Sequence, residues 1–449
     1  MSGRFASERA IVVGAGVAGV GAARALAAEG ARVLVTELRS DTELPSIREL
    51  RAEGIEVRAG GQDPSVLDGA TLVVASPGVP PDADVIRWAG ARSLPVWGEL
   101  ELGSRLARTP MIAVTGTNGK TTVTGMVEAC LRAGGIDAVA CGNIGRSLPE
   151  VAREGHDVLV VEASSFQLAM QESFHPKVSV LLNVAPDHLD WHGTMDAYVD
   201  AKGRIHASQR DGDVHVGNRD DPIAAGISSR ASCELRWFRS GAPEEGEVGY
   251  DGDELVARIG STHRLGSIEG ERAGYREDAA AAAAVALAFG VDPAAAAAGL
   301  ASYRPAEHRG EVVATVDGIR FVDNSKATNV HAALAAIAGV RDAVLIAGGR
   351  AKGADLTPLR AAADRLRAVV AIGEAAPRIA AVFEGAVSTT TVETIEDAVR
   401  EAFRRAAPRG TVLLAPACAS WDQFADYAER GDRFAVAARS LDRELSARG

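Results

Sequence analysis

Short runs of aliphatic and β-branched residues recur along the chain, separated by longer stretches whose apolar residues fall at helical spacing. The runs are AIVVGAG from position 10, ARVLVTE from 31, TLVVASPG from 71, MIAVTGTNG from 111, DVLVVEASS from 157, VSVLLNV from 178, AVLIAGG from 343, AVVAIG from 368 and TVLLAPA from 411. They are apolar at consecutive rather than alternate positions, which is the pattern of strands covered on both faces, as in parallel sheets flanked by helices. The chain therefore reads as α/β. Nine such strands exceed one comfortable sheet, and punctuation near Pro95-Val96-Trp97 and Tyr303-Arg304-Pro305 divides them into three groups. The expected organisation is three domains, 1–97, 98–304 and 305–449, with mostly parallel sheets. Between about 213 and 270 the pattern turns polar and glycine-rich, with the short runs DVHVGN, LRWF and ELVARIG, and predicts an antiparallel excursion within the middle domain.

The length of 449 residues fits three domains at roughly 150 residues each. With 47 % hydrophobic and 24 % charged residues the composition is that of a globular chain, not a disordered one. No apolar stretch approaches the roughly 20 residues of a membrane span, and MSGRFASERA leads directly into the first strand without an apolar leader. A cytoplasmic protein that does not insert into membranes is expected. The net charge of −12 argues against nucleic acid as a partner, because that binding draws on basic surface. Cys130, Cys141, Cys233 and Cys418 are widely spaced with no CxxC pair, which predicts reduced thiols instead of a disulfide frame or zinc site. Only five of the 48 basic residues are lysine, at 120, 177, 202, 326 and 352. A lysine kept in so arginine-rich a chain marks a place that needs a compact point charge or an amine able to lose its proton.

Gly14-Ala15-Gly16-Val17-Ala18-Gly19 joins a strand to a helix, and Glu37 ends the next strand 18 residues later. This is the spacing of a dinucleotide-type phosphate turn and predicts a Rossmann-like first domain; the plain alternative is a glycine turn that lets helix pack on strand. Ser76-Pro77-Gly78 closes another strand at its carboxyl end, the edge where open parallel sheets bind ligands. Thr115 leads into Gly116-Thr117-Asn118-Gly119-Lys120-Thr121-Thr122, which again lies between a strand and a helix. Backbone N–H groups of such a loop surround phosphate oxygens, Lys120 supplies a point charge and Thr121 a hydroxyl for Mg²⁺. Val114 stands where the common P-loop spacing has its first glycine, so the loop is a variant in a P-loop-like central domain. Glu162, at the end of the DVLVV strand, is placed to hold a nucleotide-bound Mg²⁺. His188, within NVAPDHLD, is either a structural imidazole or a metal ligand. Lys202 closes Tyr198-Val199-Asp200-Ala201-Lys202; beside a metal its ammonium would be repelled unless its charge were removed or reversed, as in a carbamate.

The last third opens with Glu307-His308-Arg309, and its strand GIRFV runs into Asp323-Asn324-Ser325-Lys326-Ala327-Thr328-Asn329. Later strands end in Gly348-Gly349-Arg350-Ala351-Lys352-Gly353 and in Pro416-Ala417-Cys418-Ala419-Ser420-Trp421-Asp422-Gln423-Phe424. Three polar clusters at strand ends of one Rossmann-like sheet predict one crevice, and its two lysines and hydroxyls suit an anion with more than one carboxylate.

In order along essentially the whole chain, TGTNGKTT, GNIG at 142–145, EASSFQ, NVAPDHLD, the Tyr198 to Lys202 pattern, SKATN, GGRAKGAD and APACASWDQF resemble the Mur ligase family. The last three resemble the branch of that family that adds D-glutamate. The resemblance implies an ATP-dependent amide ligase of peptidoglycan precursor synthesis. ATP phosphorylates the carboxylate of UDP-N-acetylmuramoyl-L-alanine, the D-glutamate amine attacks the acyl phosphate, and ADP and phosphate leave. It also implies two Mg²⁺ sites, a carbamate on Lys202, and a monomer whose partners are these small molecules.

By the same resemblance Thr121, Glu162, His188 and the carbamylated Lys202 hold the metals, while Lys120 cradles phosphates. Residues 116–122, Arg309, Asp323 and Asn324 bind ATP. Gly14, Ala15, Gly16, Val17, Glu37, Arg39, Ser76, Pro77, Gly78 and Asn143 bind the UDP substrate. Lys326, Thr328, Lys352, Ser420, Trp421 and Tyr427 take D-glutamate. Two departures stand out. The family carries Asp immediately before Ser-Lys, where this chain has Asn324 after Asp323, and an amide accepts a hydrogen bond without the charge. The family's HNxxN motif is replaced by Gly270-Glu271-Arg272-Ala273-Gly274-Tyr275-Arg276-Glu277-Asp278, which leaves the adenine contacts open. A related ligase using another amino acid, and a ligase-derived nucleotide-binding protein without turnover, are the alternatives.

Overall fold

A computed structural model of the chain describes residues 3–40, 44–267 and 275–446, with side chains described up to residue 441. Over these described residues it is a three-domain α/β architecture built on three sheets. Five parallel strands form the first, in the order Glu56–Ala59, Arg32–Glu37, Arg9–Val13, Leu72–Ala75 and Val96–Gly98. The second has nine strands. Seven run parallel from Ala138–Gly142 through Val158–Glu162, Met111–Thr115, Val178–Leu181, Val214–Asn218 and Glu234–Phe238 to Glu247–Asp251. Antiparallel Glu254–Ile259 and Ser261–Ser267 complete it. The third sheet runs Glu311–Val316, Ile319–Asp323, Gly410–Leu414, Ala343–Gly348, Leu366–Ile372 and Ser388–Thr391, with its first pair antiparallel and the rest parallel.

The expected antiparallel excursion from 213 therefore begins only at the strand after Asp251. Both Val214–Asn218 and Glu234–Phe238 extend the parallel sheet, because the helix Pro222–Ser228 between them forms a crossover. Its start is fixed by Pro222 at the first helical position and by Asp221, whose carboxylate accepts from the N–H groups of Ile223 and Ala224 at 2.9 Å each.

By backbone contacts the chain forms two compact units. One holds residues up to Val184, Trp191–Ser267 and Glu277–Tyr303; the other holds Ala185–Asp190, the described residues 275–276, and the chain from Arg304 onward. Within the first unit the two sheets share a core. Ala10, Val12, Leu26 and Val35 join Leu100, Leu148, Val161 and Leu168 in one buried cluster. In the second unit the sheet is covered on both faces, by a cluster around Leu345, Leu359 and Phe383 and by another around Phe321, Val370 and Phe434. Strand interiors such as Ala343–Gly348 are buried at every position, as the consecutive apolar runs require.

Candidate active site

In the first unit, the 14–19 turn is built as a ligand-facing loop. Gly14 sits at φ +97°, and its N–H donates to the Thr36 carbonyl at 2.8 Å. Gly19 must be glycine because a Cβ there would fall 1.9 Å from the Gly14 carbonyl oxygen. Glu37 accepts from the Ala15 N–H at 2.9 Å and pairs with Arg39, whose Nε lies 3.1 Å away. Burial pushes the Glu37 carboxyl up, but hydrogen bonds from Arg39 and the Ala15 N–H outweigh it and hold the group below the usual range. The Ser76 hydroxyl is buried against this turn with no hydrogen-bond partner among the described residues, while Gly16, Val17 and Gly78 are exposed and Pro77 is half-buried.

Gly119, at φ +85°, caps the helix Lys120–Ala133 and turns the phosphate loop into it. The loop is tied down on its far side, where the Thr117 N–H donates to the Asn183 carbonyl at 2.9 Å and the Asn118 N–H to Asn183 Oδ1 at 2.9 Å. Lys120 Nζ donates to the Gly116 carbonyl at 2.9 Å, and Lys202 Nζ, almost wholly buried, donates to the same oxygen at 2.7 Å. Two lysines thus meet at one carbonyl. Tyr198, one helical turn before Lys202, lies 4.7 Å beneath its Nζ, and its hydroxyl is 2.9 Å from Thr117 Oγ1. Thr121 is half-buried and Thr122 buried at the start of the helix.

Glu162 ends the strand beside the loop's own strand, in register with Val114, and is 2 % exposed. Its Oε1 accepts from Asn143 Nδ2 at 2.8 Å, while Oε2 is buried with no hydrogen-bond partner among the described residues. An orphaned carboxylate oxygen beside a phosphate loop fits a cation. Part of the EASSFQ motif is structural. Ser164 and Gln167 form a reciprocal cap on the helix Ser165–Ala169, and Gln167 Nε2 donates to buried Glu99 at 2.7 Å. His188 lies in the 185–190 segment of the second unit, at φ +53°, its N–H donating to Asp187 Oδ1 at 2.9 Å. Among the described residues no three His, Cys, Asp or Glu side chains gather as a metal-binding group.

Of the segment replacing HNxxN, residues 270–274 lie outside the described residues. The remainder includes Glu277, which accepts from Asn218 Nδ2 at 2.6 Å and whose carboxyl is pushed up by burial, with Asp220 and Asp221 adding to the shift. Asp278 packs on the phosphate loop, its Oδ1 2.4 Å from where a Gly119 Cβ would stand. Neither contact was foreseen from the sequence.

In the second unit the three polar clusters are knitted together by backbone bonds. The Ala417 N–H donates to the Ala327 carbonyl at 2.9 Å, and Arg350 and Ala419 exchange N–H to carbonyl bonds at 2.8 and 3.1 Å. Lys326 Nζ sits 3.8 Å from the Tyr427 ring and Lys352 Nζ 4.0 Å from the Trp421 ring, each ammonium over an aromatic face. Ser420 is buried, Thr328 half-buried and Trp421 59 % exposed. Asp323 is fully buried, with Oδ2 2.7 Å from His308 Nδ1 and Oδ1 accepting from the Ser325 N–H at 2.9 Å, so both its oxygens serve the fold. Asn324 and Arg309 are half-buried, and the Arg309 carbonyl accepts from the Tyr275 hydroxyl.

Three family models match the chain: "Mur ligase MurD-like, N-terminal domain" over residues 8–98, "Mur ligase middle domain" over 114–249, and "Mur ligase, glutamate ligase domain" over 308–418. Relatives that carry the name UDP-N-acetylmuramoylalanine--D-glutamate ligase match nearly the whole chain. The one from Frankia casuarinae is 44 % identical, covering 96 % of this chain and 94 % of its own. The one from Mycolicibacterium smegmatis is 39 % identical, covering 96 % of each. Among solved structures, the UDP-N-acetylmuramate-alanine ligase MurC from Thermotoga maritima superposes with a TM-score of 0.61 at 19 % identity, over 97 % of this chain and all of that one. A MurF ligase from the same organism, in complex with ADP, gives 0.59 at 17 % identity over 93 % and 96 %. The structures share the fold, and the near full-length relatives settle kinship: the chain belongs to the Mur ligase family.

Proposed function

We infer that the protein is an ATP-dependent ligase that joins D-glutamate to UDP-N-acetylmuramoyl-L-alanine in peptidoglycan synthesis, releasing ADP and phosphate. The observation that carries the reading is the phosphate loop with Lys120 and Lys202 on one carbonyl and the unsatisfied Glu162 oxygen on the adjacent strand. That is a site built to receive anions and a cation together. We assign the domains to 1–97, 98–304 and 305–449, for the UDP substrate, ATP and D-glutamate in turn, in a monomeric cytoplasmic enzyme.

Mg²⁺, when bound, draws charge from the phosphate oxygens and so eases phosphoryl transfer to the alanyl carboxylate. Glu162 and Thr121 would hold it at the nucleotide, and Glu162, His188 and a carbamylated Lys202 would hold a second ion. The loop N–H groups and Lys120 take the β- and γ-phosphates and orient the terminal one for in-line transfer. The neutral D-glutamate amine then attacks the acyl phosphate carbon, the C–N bond forms, the proton passes to solvent or a basic group, and phosphate departs with the C–O electrons. Asn143 donates to Glu162 and would link the end of the UDP substrate to the carboxylate that would hold the metal.

Carbamylation of Lys202 has a local rationale. Two ammonium groups held at 2.9 and 2.7 Å from one carbonyl oxygen are within about 6 Å of each other and repel by about 3 kcal/mol or more at an effective dielectric of about 20. A carbamate reverses one charge and keeps an N–H for the Gly116 carbonyl. In the first unit, Ser76 and the 14–19 turn, with Glu37 and Arg39, take the uridine nucleotide. In the second, Lys326, Thr328, Lys352, Ser420, Trp421 and Tyr427 take D-glutamate, whose two carboxylates draw the lysines off their aromatic rests. Arg309 and Asn324 belong to the nucleotide side, and Asp323, whose oxygens are taken by His308 and Ser325, braces them rather than meeting the nucleotide itself.

The test is phosphate release from ATP and Mg²⁺ with UDP-N-acetylmuramoyl-L-alanine, with and without D-glutamate. Release that needs both substrates is expected. Release driven equally by L-alanine or a diamino acid would overturn the amino-acid assignment, and ATP binding without any release would favour a nucleotide-binding protein without turnover.

A further inference from the structure

Arg430, in the first turn of the helix Tyr427–Ser446, heads the fully buried side chains by volume and is 0 % exposed. A guanidinium so placed normally faces a carboxylate, yet among the described residues none lies within ion-pair distance of it. Its partners are neutral. Nε donates to Ser325 Oγ at 2.9 Å, Nη2 to the Ser325 carbonyl at 2.8 Å and Nη1 to the Cys418 carbonyl at 3.1 Å. Ser325 Oγ donates onward to the Tyr427 carbonyl at 2.7 Å. One side chain therefore ties together the three segments that carry Lys326, Ser420 and Tyr427. The glycine after it allows this seat: a Cβ at Gly431 would fall 2.2 Å from His308 Nδ1 and 2.7 Å from Asp323 Oδ2, so the helix presses directly on that buried pair. Gly349, from the remaining cluster, also abuts the guanidinium, with its notional Cβ 3.2 Å from Nη1.

Burying a cation whose nearest carboxylates, Asp323 and Asp422, act on it only from beyond ion-pair distance is costly, and neutral hydrogen bonds return only part of that cost. The two acids offset that cost in part, and a direct counter-charge is supplied if the adjoining crevice receives an anion. We propose that Arg430 is the positioning residue of the amino-acid pocket, fixing Ser325, Cys418 and Tyr427 beneath it and lending the pocket a buried positive charge matched to a dicarboxylate. The inference rests on the reading of the second unit as the D-glutamate site. Burial holds the Arg430 guanidinium down to about 10, still charged at neutral pH, so the field is present under assay conditions.

The experiment measures KM for each of the three substrates and kcat in the full-length enzyme, for wild type, Arg430→Met, Arg430→Lys and Ser325→Ala. Wild type is recorded first, and its indifference to D-glutamate would overturn the ligase reading itself. Given D-glutamate-dependent turnover, Arg430→Met is expected to raise KM for D-glutamate more than tenfold while KM for ATP and the UDP substrate stays within twofold. Arg430→Lys, which keeps the charge and loses tethers, is expected to fall between. Ser325→Ala removes one tether and leaves the charge, so a rise in D-glutamate KM alone, smaller than that of Arg430→Met, is expected. Unchanged D-glutamate KM in the folded Arg430 variants, or all three KM values rising together, overturns the proposal. If Arg430→Met does not fold, unchanged D-glutamate KM in both Arg430→Lys and Ser325→Ala does so.

Discussion

Replacing Lys202 separates its part in the fold from its part in the chemistry. In the folded chain its Nζ donates to the Gly116 carbonyl at 2.7 Å and lies 4.7 Å over the Tyr198 ring. A hydrogen bond to a charged group contributes about 1.5–3 kcal/mol and a desolvated cation–π contact about 2 kcal/mol. Against these stand the cost of stripping water from the ammonium, several kcal/mol, and its repulsion by the Lys120 ammonium on the same carbonyl. The terms nearly cancel, so Lys202→Ala should move the melting temperature by only a few degrees. Activity responds differently. A carbamate at Lys202 would lie near the Lys120 ammonium, since both lysines reach the Gly116 carbonyl, and opposite charges at a separation of about 5 Å attract by about 3 kcal/mol at an effective dielectric of about 20. Where that attraction holds Lys120 in place for the transferring phosphoryl group, it acts in the transition state, and its loss is expected to cost about a hundredfold in kcat, before any metal ligation is counted. The assay is D-glutamate-dependent phosphate release by Lys202→Ala, with and without millimolar bicarbonate, acetate or propionate. A short carboxylate entering the vacated space should restore part of the lost rate. A variant that melts like wild type and turns over within about tenfold of it, or that is deaf to every added carboxylate, would refute the reasoning.

Two further outcomes follow from particular contacts. Gly19→Ala drives a methyl to 1.9 Å from the Gly14 carbonyl oxygen, so the turn must open; a loss of about 1–3 kcal/mol in urea unfolding is expected, with KM for the UDP substrate rising and KM for ATP unchanged. Burial pushes His206 and His215 below the usual imidazole range, His215 strongly, with Arg230 adding to the effect on His206 and the neighbouring His206 ring to that on His215. Both are neutral in the fold and become protonated near pH 6.5 when unfolded, so their stabilisation is full above that pH and is lost as the pH falls toward the folded values. Urea melts between pH 7.5 and 5 should show a steeper decline in wild type than in His206→Leu, and parallel declines would count against it.

Parallel strands, a strand–loop–helix phosphate site and lysines at strand ends were legible because each is written in contiguous residues. Consecutive apolar positions specify a strand covered on both faces, and glycine followed by lysine and threonine specifies a loop that turns into a helix. The strands of residues 214–238 were misread for the same reason: polar, short and broken by glycine, they show no local sign that the seven-residue helix Pro222–Ser228 crosses the sheet. Tyr198 and Lys202 could be paired from their spacing of four, one helical turn. Nothing local marked Arg430 among so many arginines, and its role emerged only from what surrounds it.

The sequence by itself determined the elements, the chemistry available at each strand end and kinship with the Mur ligases, since these depend on periodicity and on residue types at fixed short spacings. Tertiary structure alone decided that Lys120 and Lys202 share the Gly116 carbonyl, that Glu162 keeps one oxygen unsatisfied while Asn143 takes the other, and that Asp323 is spent on His308. Those outcomes turn on burial and on the meeting of groups as much as 86 positions apart in the chain. Whether a carboxylate is a ligand or a brace depends on which partners packing brings to it, and no short stretch of sequence encodes that.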